Sequence, residues 1–180
     1  MAEGDSADWK IVAAAYPREV KGVADRVLKH LEEGKKYRFG YQIDRYQHGL
    51  QTATRAFREG VDEETVVCAL LHDIGDDLAP YTHGDFAAAI LRPFVSAENH
   101  WLIQNHRLFQ GYHFFQFMGQ DRNARDKYQG HPAYERTCDF CDRWDQAAFD
   151  PNYDTMPIEA FAPMVHRLFD RDISKVNARS

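Results

Sequence analysis

Apolar residues recur at helical spacing along almost the whole chain, and no alternating pattern bounded by hairpin dipeptides interrupts them. In the first clear helix, over residues 18–33, valines and leucines form one stripe, and Gly34 follows as a terminating glycine. A polar and aromatic loop over residues 35–43 separates it from a second helix over residues 44–59, which contains His48. The pattern predicts an all-α fold.

The third predicted helix begins at Asp62, whose side chain is suited to cap a helix N-terminus. Its apolar run is followed by His72 and Asp73, and Gly75 and Pro80 then end the helix. We therefore expect the histidine and aspartate pair to lie in the last turns of this helix.

Further helix starts follow along the chain. Thr82 with Asp85 resembles a capping box that begins a helix through Leu91. Ser96 and Pro132 occupy typical N-terminal positions of two more helices. Together these signals predict helices over residues 82–91, 96–106, 132–145 and 157–169, with connections at residues 123–130 and 149–156.

The chain has 180 residues, of which 44% are hydrophobic, so it is long enough for one substantial core and short for two. We expect a single domain over residues 1–180, with a core at about residues 18–169 and an N-terminal extension over residues 1–17. The sequence does not indicate an oligomeric state.

Charge and hydropathy limit the partners. A formal net charge of −6 without a dense cluster of lysine and arginine argues against nucleic acid and anionic membranes. The longest apolar stretches are six residues long, far below the roughly 20 needed to span a membrane, and no secretory signal is recognisable at the N-terminus. A cytoplasmic location is therefore expected.

Three cysteines suit a reducing compartment, because an odd and sparse set does not form a disulfide framework. Cys138 and Cys141 have CxxC spacing, which occurs in redox sites and zinc half-sites as well as in ordinary helices. Because the sequence has no second CxxC and the flanks have helical periodicity, we expect both cysteines to pack in a helix.

Residues able to bind a metal lie on several predicted helices, and one pair of them, His72 and Asp73, follows an apolar run. A histidine or a carboxylate at the edge of a core is costly to bury unless it is hydrogen-bonded or bound to metal. A lone buried histidine is more often hydrogen-bonded, and we assign His30, His131 and His166 to that class. The other candidates are four imidazoles and two carboxylates on helices or helix ends: His48, His72, Asp73, His83, His106 and Asp145. Six such ligands exceed what one open catalytic ion needs, and suit two ions of iron, manganese or zinc that share a carboxylate.

The order of His48, then His72 with Asp73, then a distant Asp145 resembles the signature of the HD-domain superfamily, a helical and metal-dependent fold. Most members of that superfamily are phosphohydrolases. With His83 and His106 added, the set is similar to the dinuclear branch, in particular the mixed-valence diiron oxygenases. These include myo-inositol oxygenase and the enzymes that cleave hydroxylated aminoalkylphosphonates.

This resemblance implies a ligand assignment and a reaction. His48, His72 and Asp145 would hold one iron, Asp73 would bridge, and the remaining two histidines would hold the other. An Fe(II)/Fe(III) pair would use O2 to oxidise and cleave a small hydroxylated substrate, which could be a hydroxyalkylphosphonate, a polyol or an amino alcohol. A phosphohydrolase that acts on a nucleotide or phosphate ester with Mn or Zn stays open, as does a non-catalytic binding module.

Candidate substrate residues lie near these ligands. Asp76 stands where the compared oxygenases carry a basic or imidazole group, so it is expected to disfavour a phosphonate and favour hydroxyls or a cation. The alternative is a solvated acid at a helix end. Gln110 and His113 fall four and seven residues after His106, on one helical face that could line a pocket.

Two further groups are candidates with a simpler alternative. Tyr41 lies in the loop where the phosphonate enzymes place a tyrosine that caps the open iron, although ordinary packing also explains it. Arg122, Arg125 and Lys127 could clamp an anionic substrate or belong to a solvated charged loop.

Overall fold

The structure, a computed structural model, describes residues 4–171, and over that range it contains helices and no strand. The all-α prediction is therefore confirmed. The α-helices, in chain order, are α1 (Ser6–Val20), α2 (Val23–Glu33), α3 (Arg45–Arg58), α4 (Glu63–Leu71), α5 (His83–Leu91), α6 (Ala97–Phe114), α7 (Tyr134–Asp139) and α8 (Ile158–Phe169). Short 3-10 helices cover Gly34–Lys36, Phe115–Met118 and Ala124–Tyr128, and a π-helical turn covers Phe140–Asp145.

Three predicted caps fix the helices that matter most for the site. The carboxylates of Asp44 and Asp62 and the hydroxyl of Ser96 each accept a hydrogen bond from the backbone N–H three residues later, at 2.8, 3.0 and 3.2 Å. Each bond satisfies a backbone donor that the first turn of a helix leaves free. The starts of α3, α4 and α6 are confirmed, and so is the start of α8 after Pro157.

The predicted start of α5 at Thr82 is confirmed but its capping box is wrong, and the predicted start of α7 at Pro132 is two residues too early. Thr82 precedes α5, but its side chain forms no capping bond with any described residue, and the Asp85 carboxylate instead accepts from Gln104 Nε2 at 3.0 Å. The backbone of Thr82, with φ −138° and ψ 29°, is not in the extended conformation that a capping side chain needs. Pro132 is likewise not the first residue of α7, which begins after Ala133.

The N-terminal region departs most from the prediction. Residues 6–20 form α1, and a turn at Lys21 and Gly22 separates it from α2, so no helix begins at residue 18. Asp5 and Asp8 cap each other's backbone N–H in a capping box. No residue of α1 is buried against the described part of the chain, which explains why its apolar residues follow no single stripe. Residues 1–3 and 172–180 of the predicted domain lie outside the described range.

The core centres on α4, in which every residue from 65 to 71 is buried. A helix that is apolar all round must be enclosed by others, and α3, α6 and α8 pack around it. The approach of α3 is especially close at Gly49, where an added Cβ would lie 2.7 Å from the Leu70 carbonyl oxygen. Only glycine permits that distance, and the contact brings His48 beside the end of α4.

The two cysteines with CxxC spacing lie in helical segments and form no disulfide. Cys138 lies in α7 and Cys141 in the π-helical turn, both as free thiols, as expected for residues that pack in a helix. Burial raises the pKa of the Cys141 thiol, which keeps it protonated and unreactive. No helix within residues 4–171 is long and apolar enough to cross a membrane.

Candidate metal centre

Five separate segments bring the six predicted metal ligands to one place. His48 comes from α3, His83 from the first residue of α5 and His106 from α6, while Asp145 ends the π-helical turn. The helix before the central pair ends at Leu71, before the pair predicted to lie in its last turns, so His72 is its C-cap and Asp73 lies in the turn beyond. Ending the helix there lets two adjacent side chains face the same cluster.

The first donor set consists of His48, His72 and Asp145, all buried. The Nε2 atoms of the two histidines lie 3.1 Å apart, and Asp145 Oδ1 lies 3.1 Å from His48 Nε2 and 3.6 Å from His72 Nε2. Ligands about 2.1 Å from one metal ion and at right angles to each other are about 3.0 Å apart. The spacing of these three donors therefore suits one ion.

The second donor set consists of His83 and His106, whose Nε2 atoms lie 3.2 Å apart. Asp73 stands between the two sets. Its Oδ2 lies 3.3 and 3.2 Å from the Nε2 atoms of His48 and His72, and its Oδ1 lies 3.3 and 3.2 Å from those of His83 and His106. Each carboxylate oxygen thus faces a different histidine pair, which is the arrangement of a carboxylate able to bridge two ions.

Hydrogen bonds at the other ring nitrogen fix how these histidines point. Backbone carbonyls can only accept, so a histidine Nδ1 bonded to one carries the proton and leaves the Nε2 lone pair free. This holds for three of the four histidines, which bond at 2.9, 2.8 and 2.6 Å: His48 to Ala148, His72 to Ala69 and His106 to Ile103. When these rings are neutral, their lone pairs face one another across about 3 Å, which is unfavourable unless a proton or a metal ion lies between them. The donor set therefore fits a bound metal.

The electrostatics of the centre lead to the same conclusion. Burial alone would lower the pKa of His72, but the carboxylates of Asp73 and Asp145 outweigh it and raise that pKa to about 10. Burial likewise acts to raise the pKa of Asp145, and His72 and His48 hold it well below its usual range. The metal-free centre thus retains positive charge beside two ionised carboxylates, and a divalent cation can take the place of that charge.

Arg45, the first residue of α3, is an unpredicted member of the site. Its guanidinium bonds to Asp73 and also lies 2.7 Å from Asp76 Oδ2. Asp76 is 12% exposed and lies in the turn after α4, so it is neither on a helix nor a solvated acid. Because Arg45 compensates its charge, Asp76 does not present a free carboxylate to an anionic substrate. The sequence placed Arg45 three residues before His48, but gave no sign of the partners it meets.

A cavity of about 520 Å³ opens beside the second donor set, a size suited to a small molecule. All four predicted substrate or catalytic residues line it: Tyr41, Asp76, Gln110 and His113. The sequence missed the residues that complete its wall, including Phe39, Arg107, Phe114, Gln146 and Phe149. Aromatic rings therefore form much of the wall beside the donors.

Several side chains of this wall already have partners. Phe149 stacks on the His48 ring with centroids 4.3 Å apart, and Tyr41 stacks on Phe149 at 4.4 Å. Gln110 donates to Gln146 at 2.7 Å, and His113 Nε2 lies 2.9 Å from an Asp142 carboxylate oxygen. The wall is thus held together by its own contacts.

The predicted anion clamp lies elsewhere. Arg122 and Arg125 stand over the Tyr112 ring at 4.1 and 3.9 Å, and Lys127 stands over Tyr128 at 4.9 Å. None of the three lines the cavity beside the metal donors. Arg125 is buried, so the alternative of a wholly solvated loop is also wrong. These cations stabilise aromatic packing instead.

Comparison with protein families identifies a family for this chain. The family model for the HD domain matches residues 45–146, a span that begins just before His48 and ends just after Asp145. All six candidate ligands lie inside it. A comparison with curated proteins gives no match.

Proposed function

This chain belongs to the HD domain family, and on that basis we propose that it is a dinuclear metal oxygenase that uses O2 to oxidise a small hydroxylated substrate. HD domains are generally metal-dependent enzymes, and the histidine and aspartate donors of this chain are consistent with metal binding. The observation that carries the dinuclear part of the proposal is the orientation of Asp73, whose two oxygens face separate histidine pairs. A mononuclear hydrolase would have no use for the second pair.

The donor types are compatible with iron. Four imidazoles with few carboxylates suit iron or zinc better than magnesium or calcium, which prefer oxygen ligands. When bound, an Fe(II)/Fe(III) pair would supply electrons to O2 and a Lewis-acid site for a substrate hydroxyl. Asp73 would bridge the pair, and the two donor sets would each hold one ion.

The surrounding residues would bind the substrate and exclude water. The rings of Tyr41, Phe114 and Phe149 form an apolar wall next to the donors. Such a wall would pack against the carbon skeleton of a small hydroxylated substrate and shield the reacting centre from bulk water. Because Arg45 is already paired with Asp73 and Asp76, a neutral polyol or an amino alcohol fits this side of the cavity better than a phosphonate.

One observation favours a phosphohydrolase as the second candidate. Arg107 lines the cavity, and within residues 4–171 it forms no ion pair. A guanidinium without a carboxylate partner at the cavity wall is suited to bind a phosphate ester. In that case the same two ions would activate a water molecule rather than O2.

Metal content and oxygen consumption distinguish the two candidates. We expect about two iron ions per chain, a mixed-valence electron paramagnetic resonance signal after partial oxidation, and oxygen uptake when a panel of polyols, amino alcohols and hydroxyalkylphosphonates is added. Release of phosphate from nucleotides or phosphate esters, with zinc or manganese bound and no oxygen uptake, would show the hydrolase instead. A protein that binds no metal would overturn both.

A further inference from the structure

His83 differs from the other three histidines of the centre in what its second ring nitrogen contacts. The others bond to backbone carbonyls, whereas His83 Nδ1 lies 2.8 Å from Asp76 Oδ1 and 3.4 Å from the Pro80 carbonyl oxygen. At these distances the carboxylate is the stronger acceptor. A carboxylate behind a ligating histidine orients the ring and increases its basicity toward a metal.

Asp76 lies within metal-binding distance of Asp73 and His83, but both of its carboxylate oxygens already face protein donors. Its Oδ1 accepts from His83 Nδ1, and its Oδ2 accepts from Arg45 at 2.7 Å. Both oxygens of Asp76 are therefore already used, one by His83 Nδ1 and the other by Arg45. The Nε2 atom of His83, on the other edge, faces Asp73 and His106.

His83 also has less packing to hold it than its counterparts. Its side chain is 12% exposed, against 1% for His48, 0% for His72 and 2% for His106. It begins α5, at a helix start where Thr82 provides no side-chain cap within the described range. A histidine at a helix N-terminus without a side-chain cap, beside a cavity, needs a hydrogen-bond partner to keep its ring in one orientation.

We propose that Asp76 is a positioning residue that acts through His83 and controls occupancy of the second donor set, leaving the first donor set unaffected. This rests on the proposed dinuclear centre. Arg45 keeps Asp76 in place by bonding to Asp76 and Asp73 together. The first donor set is independent because its two histidines are oriented by Ala148 and Ala69 and are enclosed by the core.

The test is a titration of the metal-free, full-length protein with Fe(II) without oxygen, and in parallel with Mn(II) followed by electron paramagnetic resonance. Wild type is expected to bind two ions, with a spin-coupled Mn(II) pair. Asp76→Ala should bind the first ion with unchanged affinity and the second about 10- to 100-fold more weakly. With one equivalent of Mn(II) per chain or slightly more, its spectrum should therefore be that of an uncoupled Mn(II) ion. Asp76→Asn, which keeps an acceptor oxygen but not the charge, should show a smaller loss.

Asp77→Ala is the matched control, because that neighbouring carboxylate pairs with His30 at 3.3 Å and not with the centre. It should bind both ions as wild type does. Wild-type affinity for both ions in Asp76→Ala and Asp76→Asn overturns the positioning role, and so does loss of both ions in Asp76→Asn with its fold intact by circular dichroism. Only one ion in wild type would instead overturn the dinuclear centre itself.

Discussion

The two donor sets of the candidate centre are built in different ways. His48 and His72 lie in the core, are oriented by backbone carbonyls, and stand where Gly49 lets α3 approach α4 closely. His83 stands at a helix end beside the cavity, and a side-chain carboxylate orients it. Metal binding at the first set is thus tied to the packing of the fold, whereas the second set contains one ligand, His83, that can be altered without disturbing the core.

Asp73 is the residue that both sets share, so its substitution is expected to have the largest effect. Asp73→Asn keeps the volume but replaces one ligating oxygen with an amide nitrogen that cannot bind a metal. We expect the affinity for both ions to fall more than about 100-fold, measured as metal content after dialysis. Asp77→Asn is the control. Full retention of one ion would mean that one set does not depend on the bridge.

Stability measurements test the contrast between core and cavity directly. In metal-free protein, His48→Ala removes a fully buried ring that stacks on Phe149, and should lower the free energy of unfolding by about 2–4 kcal/mol. His83→Ala removes a partly exposed ring and should lower it by less than about 1 kcal/mol. Urea unfolding in the presence of a chelator gives both values. Equal losses would contradict the distinction.

The pH dependence of stability tests the charge of the first set. In metal-free protein the pKa of His72 is about 10, above its usual value of 6.5, so the folded state keeps a proton that the unfolded chain releases. The stability from this group is therefore complete below about pH 6.5 and is lost as the pH rises toward 10, by at most about 1.4 kcal/mol per pH unit.

A bound metal would take the position of the extra proton on His72. The stability of the metal-loaded protein should therefore not fall as the pH rises toward 10. On the acid side the low pKa of Asp145 acts in the opposite sense, and its stabilisation is lost as the pH falls below the usual aspartate range. Urea unfolding between pH 6 and 10, with and without metal, measures the difference. A metal-free protein of constant stability across that range would show that His72 does not carry the proton.

These contrasts also explain what the sequence could predict. The starts of α3, α4 and α6 follow from single capping side chains, and the six donors can be identified as imidazoles and carboxylates on predicted helices or helix ends. Arg45 and Asp76 meet only because the chain turns after α4, a path that no local pattern specifies. Periodicity likewise cannot reveal the π-helical turn that aims Asp145, or α1, which has no buried stripe.

The smallest expected effect concerns Tyr41, which the sequence suggested as a catalytic residue. Tyr41 is 48% exposed, and its ring stacks on Phe149, which lies between it and His48. If the ring acts by packing, Tyr41→Phe should keep kcat and KM for oxygen uptake within about two-fold, because it retains the stack. Tyr41→Ala should raise KM more than it lowers kcat, since it opens the cavity wall to water. A fall in kcat of about 100-fold or more in Tyr41→Phe would instead mean that the hydroxyl takes part in the reaction, and that this loop closes onto the centre.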